Sequence, residues 1–106
     1  MADMVIIESP LAGDVELNKS YALEALKDSL NRGEAPFASH LLYTQVLDDT
    51  IEAEREIGIE AGLAIGKRAD KTVVYTDLGI SNGMQRGIDR AMAEGRPIEY
   101  RSIKNG

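Results

Sequence analysis

Cysteine is absent from this 106-residue chain, and histidine occurs once. Without thiols there is no disulfide framework, no thiolate metal site and no cysteine nucleophile. A zinc site would have to be built mostly from carboxylates, a poor donor set for that ion, so no metal and no cofactor are expected. Long apolar runs are missing too. Nothing approaches the roughly 18 residues of a membrane span, and Met1-Ala2-Asp3-Met4 lacks the basic region of a signal peptide. A soluble, cytoplasmic protein without a membrane partner is therefore expected. Positive charge is scarce: 12 Lys and Arg against 18 Asp and Glu leave a net charge of −6. That sign opposes the counterion displacement by which proteins grip polymeric nucleic acid. One small ligand, such as a nucleoside or nucleotide, needs only a local cluster of donors and stays open.

What is present reads as one α/β domain over residues 1–106, with 43% hydrophobic and 28% charged residues. Apolar runs stop at polar pairs three times: Val5-Ile6-Ile7 at Glu8-Ser9, Ala35-Pro36-Phe37-Ala38 at Ser39-His40, and Val73-Val74-Tyr75 at Thr76-Asp77. The pattern predicts strands over 4–8, 35–39, 71–76 and 97–102. Between them, apolar spacings of three and four predict helices over 15–30, from about 51 to 66, and over 84–94. Residues 40–49 are expected to be irregular, with Asp48-Asp49-Thr50 supplying N-cap side chains to the second helix. Pro36 cannot donate to a ladder, so its strand belongs on an edge. The order βαβαβαβ then predicts a three-layer flavodoxin- or Rossmann-like domain with a four-stranded parallel sheet in the order 2-1-3-4. Ligands of such sheets bind outside the carboxyl ends of the strands, at the switch point. Glu8-Ser9 and Asp77 should flank one crevice there, with His40 on its outer side.

Glu8 directly follows three buried-type residues. Burial raises a carboxyl pKa and suits it to acid, base or nucleophile work, while a partner such as Arg101 would make it structural instead. Asp77 is the second candidate catalytic carboxylate. The loop ending in Ser81-Asn82-Gly83-Met84 and the loop Ser9 to Asp14, with Gly13, both have the outline of a phosphate-binding turn before a helix. Ser81 or Asn82 would equally serve as an ordinary N-cap. His40 is a packing or capping residue as readily as a ligand contact, and Asp48-Asp49 either cap a helix or bind a ribose hydroxyl or a cation. Gly58, Gly62 and Gly66 recur every four residues in the second helix, at roughly 1 kcal/mol each relative to Ala. Close approach to a neighbouring element, to a ligand or to a second subunit would offset that cost.

The segments Val5 to Asp14, Glu34 to Gln45 and Tyr75 to Met84 together resemble a family of uncharacterised bacterial and phage proteins. That family in turn resembles nucleoside 2-deoxyribosyltransferases and nucleotide N-glycosidases, through Ser9-Pro10 after a strand and Ser81-Asn82-Gly83 opening a helix. The resemblance implies a flavodoxin-like fold, a substrate with a nucleobase on a sugar, an essential carboxylate, and a homo-oligomer whose neighbour helps to close the site. The chain departs from those enzymes where Gly87-Ile88 stands in place of their catalytic Glu and its aliphatic follower, and again at Gly62, where they carry Asp. Either Glu8, Asp77 or Asp49 supplies the charge from another wall, or the pocket binds a nucleotide-derived ligand without cleaving it. A homo-oligomeric interaction protein is a third reading.

Overall fold

The structure, a computed structural model, describes residues 2–104. Four strands, β1 (Met4–Glu8), β2 (Ala35–Phe37), β3 (Lys71–Tyr75) and β4 (Ile98–Arg101), form one parallel sheet in the order β2-β1-β3-β4. The helices are α1 (Val15–Asn31), α2 (Ser39–Leu42), α3 (Glu52–Gly66) and α4 (Asn82–Ala93). Pro36 lies in β2, at the edge of the sheet, where it pairs only with β1. Two local differences from expectation stand out. The second strand ends at Phe37, and Ser39 opens a helical turn that continues as a 3₁₀ turn over Tyr43–Gln45, where irregular chain was expected. The cap of α3 also differs: Ile51 occupies the N-cap without a side-chain bond, because Asp48 accepts from Thr50 instead.

Period-two alternation sends the sheet's side chains to two different faces. Val5, Ile7, Val73 and Tyr75 point to α1 and pack with Tyr21 and Ala25. Val74 points the other way and packs with Met84 and Ile88 of α4, while Ile6 meets α3 beside Gly66. Helix α1 begins where Asp14 accepts from the Leu17 N–H at 3.1 Å, and α4 where Ser81 accepts from the Met84 N–H at 3.2 Å. Both satisfy an amide that would otherwise lack a partner at a helix start. Gly33 and Gly95 take positive φ just past the ends of α1 and α4, which turns the chain back toward the next strand.

The glycine stripe of α3 lies against other elements. A β-carbon on Gly62 would sit 2.6 Å from the Ser39 Oγ of α2, and one on Gly66 would sit 3.2 Å from Arg96 Nη2. Helix α3 thus lets the α2 segment and a buried guanidinium come close, and this contact offsets the propensity cost of its glycines.

Candidate functional site

A cavity of about 340 Å³ opens at the carboxyl end of the sheet on the α3/α4 side. Its wall is made from the end of β1, the α2 segment, one face of α3 and the start of α4. Eight of the candidate catalytic and ligand-binding residues line it, Glu8, Ser9, His40, Asp49, Ser81, Asn82, Gly83 and Met84, together with Gly58, Gly62, Gly66 and Gly87. Gly13 and Asp14 do not; they shape the loop before α1, where Gly13 has φ +100° and Asp14 caps the helix. That loop is pinned by Asn18, whose Nδ2 donates to the carbonyls of Leu11 and Ala12 at 3.0 and 2.9 Å.

Asp77 is the main correction. Expected across the crevice from Glu8, it lies on the other face of the sheet, because Glu8 is level with Val74 in the β1–β3 register and residue 77 continues the Val73, Tyr75 series. There its carboxylate accepts from Tyr21 Oη at 2.6 Å, Ser102 Oγ at 2.7 Å and the N–H groups of Ile103 and Lys104. The Tyr21 hydroxyl bond first, then the backbone and Ser102 bonds, hold this carboxyl well below the usual range. Asp77 anchors the chain after β4.

Glu8 sits at the floor. The cavity reaches it, so it keeps some accessible surface, yet protein atoms crowd the carboxyl so closely that desolvation pushes its pKa up to about 8, moderated by the positive charge of Arg96. No hydrogen bond to the carboxyl contributes to that balance. Arg101, the partner considered from sequence, lies on the α1 face, bound to Glu34. Helix α4 makes room for Glu8 with Gly87, since a β-carbon there would collide with the Glu8 carboxylate.

Beside Glu8, Ser9 Oγ lies 2.6 Å from His40 Nε2, so the histidine belongs to the cavity wall rather than to its outer side. Burial pulls the His40 pKa down to about 4, so the ring is neutral near pH 7. It offers one donor and one acceptor, one of them engaged by Ser9. Two arginines were not singled out in the sequence. Arg96 donates from Nε to Thr72 Oγ1 at 3.0 Å and from Nη1 to Glu94 at 2.6 Å, with Nη2 left over. Arg55 lies at the start of α3, with Asp49 4.0 Å from its Nε and its Nη2 3.9 Å from where a Gly83 β-carbon would be. Arg96 sits between Gly95 and Pro97, which reads as turn chemistry. Only its contacts with Thr72 and Gly66 make it a floor residue.

No cluster of three or more His, Asp or Glu side chains with metal-binding geometry occurs among the described residues, and none of their helices is long and apolar enough to cross a membrane. The fold and cavity define a parallel α/β domain with a pocket at the sheet's carboxyl edge. The chain belongs to the family described as Domain of unknown function (DUF7768), whose model matches residues 3–101. No curated protein matches its sequence. Among solved structures, a 2-deoxyribosyltransferase from the psychrotolerant bacterium Bacillus psychrosaccharolyticus is similar with a TM-score of 0.67. The identity is 20%, over 93% of this chain and 72% of that one. This likeness establishes the shared fold.

Proposed function

We propose that the cavity binds a nucleoside or nucleotide and that Glu8 acts on its N-glycosidic bond, by transfer or hydrolysis. The observation that carries this reading is the Glu8 carboxyl itself, set into a deep cavity with no protein hydrogen bond to hold it and given space by a helix glycine. Breaking the bond sends its electron pair to the base nitrogen and leaves positive charge on the sugar. An ionised Glu8 either forms a bond to that carbon, which a second base (transfer) or water (hydrolysis) then breaks, or stabilises it until water adds, and the departing base takes up a proton from solvent. The name of the similar fold, a 2-deoxyribosyltransferase, agrees with that chemistry. Ser9, His40, Asp49, Ser81, Asn82 and Gly83 are the ligand contacts of this reading. Leu42, Val46, Ile51 and Ile57 are exposed, and in this reading they are the surface that a second copy of the chain would cover.

Because the pKa of Glu8 is raised, the ionised form is in the minority at pH 7 and becomes the majority as pH rises through about 8. Base release from a panel of nucleosides and nucleotides should therefore rise between pH 6 and pH 9, and should drop on the order of 10²-fold or more in Glu8→Gln. Release no greater than in that variant, at every pH, would remove the catalytic reading. The protonation state also favours a second reading, a binding module without turnover. In that case the same compounds raise the melting temperature of the protein, as a ligand of the native state must, and no base appears.

A further inference from the structure

The floor of the cavity holds two groups of opposite charge that the protein leaves incompletely bonded. Glu8 has no hydrogen-bonding partner, and the Nη2 of Arg96 donates to nothing among the described residues. No side-chain nitrogen or oxygen fully shut off from solvent lacks a partner among those residues, so both open positions must meet the cavity, which both residues line. Glu8 is level with Val74, and Thr72, which holds Arg96, lies two residues back on the same face of the sheet, yet the two charges form no ion pair within 4.0 Å. Each is slotted against a helix glycine, Glu8 against Gly87 and Arg96 against Gly66. The arginine is held rigidly by Thr72 and Glu94, and only 6% of its side chain is accessible.

We propose that Glu8 and Arg96 jointly bind one hydroxyl of the ligand's sugar, the one on the carbon next to the glycosidic carbon, so that the cavity selects ribosyl over 2-deoxyribosyl compounds. This inference rests on the nucleoside reading above and deepens it. A hydroxyl both accepts and donates, so a single group satisfies the guanidinium and the carboxylate together. If Glu8 addresses the glycosidic carbon, the substituent one bond away is the sugar hydroxyl nearest to it. The ring oxygen suits Arg96 less well, since it only accepts and its lone pair is drawn toward the carbon as positive charge develops. Glu94 lies 2.6 Å from Nη1 and balances the arginine's charge, which leaves Nη2 to act as a donor more than as a repelling cation. Hydrogen bonds to this hydroxyl strengthen toward the transition state in glycoside cleavage. The name of the similar fold points to 2-deoxyribose; the open donor on this floor points to the hydroxyl that 2-deoxyribose lacks.

The test is calorimetric titration of the full chain with adenosine, guanosine, cytidine and uridine, each beside its 2′-deoxy counterpart. Each base that binds should do so about tenfold or more tighter as the ribonucleoside, because the deoxy form leaves buried polar groups unpaired. In Arg96→Lys that ratio should fall toward one. Gly66→Ala should lower it as well, by pressing on Nη2, while favouring the helix and so keeping the fold. Equal affinities in the wild-type protein, a preference for the deoxy form, or a preference unchanged in both variants would each overturn the inference while leaving the nucleoside reading intact. Binding by neither series, nor by the corresponding 5′-monophosphates titrated in the same way, would overturn that reading, and this inference with it.

Discussion

The two faces of this sheet treat charge in opposite ways. Under α1, the charges that reach the sheet are answered: Glu34 accepts from both Nη atoms of Arg101 and pairs with Lys71, Tyr75 donates to Asp28, and Asp77 collects the chain after β4. Hydrogen bonds there pull carboxyl pKa values down, Glu34 to about 2 chiefly through Arg101. Under α3 and α4 the balance reverses. Glu8 is pushed up by desolvation, His40 is pulled down by it, and an arginine nitrogen has no acceptor among the described residues. Satisfied groups stabilise a fold, whereas buried groups left open cost stability unless a ligand completes them. The α1 face is therefore where stability is concentrated, and the opposite face is where we propose that a ligand binds.

The largest effect should come from breaking the satisfied side. Arg101 has only 4% of its side chain accessible and its partner Glu34 10%, so Arg101→Met takes away both guanidinium donors and leaves a largely buried carboxylate with Lys71 and Ser29 alone. Removing one member of a buried pair costs about 3 kcal/mol or more, readable in urea unfolding. Nucleoside binding in the fraction that remains folded should be unchanged. A loss below 1 kcal/mol would mean that the two faces do not differ in this way.

Next in size, and opposite in sign, is Glu8→Gln. The native pKa of Glu8 is raised from 4.5 to about 8, so stability is fully present below pH 4.5 and is lost as pH rises through about 8. His40 works the other way: its native pKa is lowered from 6.5 to about 4, so its contribution is lost as pH falls over that interval. Between pH 4.5 and 6.5 the two slopes oppose each other, and the wild-type protein should show a plateau there and a decline toward pH 8. Glu8→Gln should abolish that decline and be the more stable protein at pH 9 by a few kcal/mol. Parallel pH profiles for the two proteins would show that Glu8 is not desolvated.

Smaller again is Gly87→Ala. Its β-carbon would collide with the Glu8 carboxylate, and overpacking of this kind costs about 1–3 kcal/mol, against a gain of about 1 kcal/mol from the better helix former. A modest net destabilisation is expected. Restoration by the double variant Glu8→Ala with Gly87→Ala would show that the two residues share one space.

How much of this contrast was visible in the sequence depends on parity. Strand order followed from the βαβ alternation and from Pro36 at an edge, because both are local signals with a topological consequence. Glu8 was legible as an acid ending an apolar run. Asp77 looked equivalent and is not, since which face a residue takes relative to another strand depends on register: Glu8 is level with Val74, one residue out of phase with the series that leads to Asp77. The α2 turn was illegible because four residues carry no periodicity, and its place is set by Ser39 packing against Gly62. Arg96 gave no local signal at all.

The smallest effect tests whether the cavity face has spare capacity even at a helix cap. Ser81 Oγ accepts from the Met84 N–H, while the Ser81 N–H faces Met84 Sδ at 3.4 Å. Its own hydroxyl proton remains available beside the cavity that Ser81 lines. Ser81→Ala should cost about 1 kcal/mol of stability through the lost cap and should also weaken nucleoside binding several-fold. Ser81→Asn separates the two effects, because Asn caps as well as Ser does: stability should return while affinity stays low. If Ser81→Ala loses stability but binds as the wild-type protein does, Ser81 is a cap alone, as fully used as the groups under α1, and the open side of the molecule narrows to Glu8, His40 and Arg96.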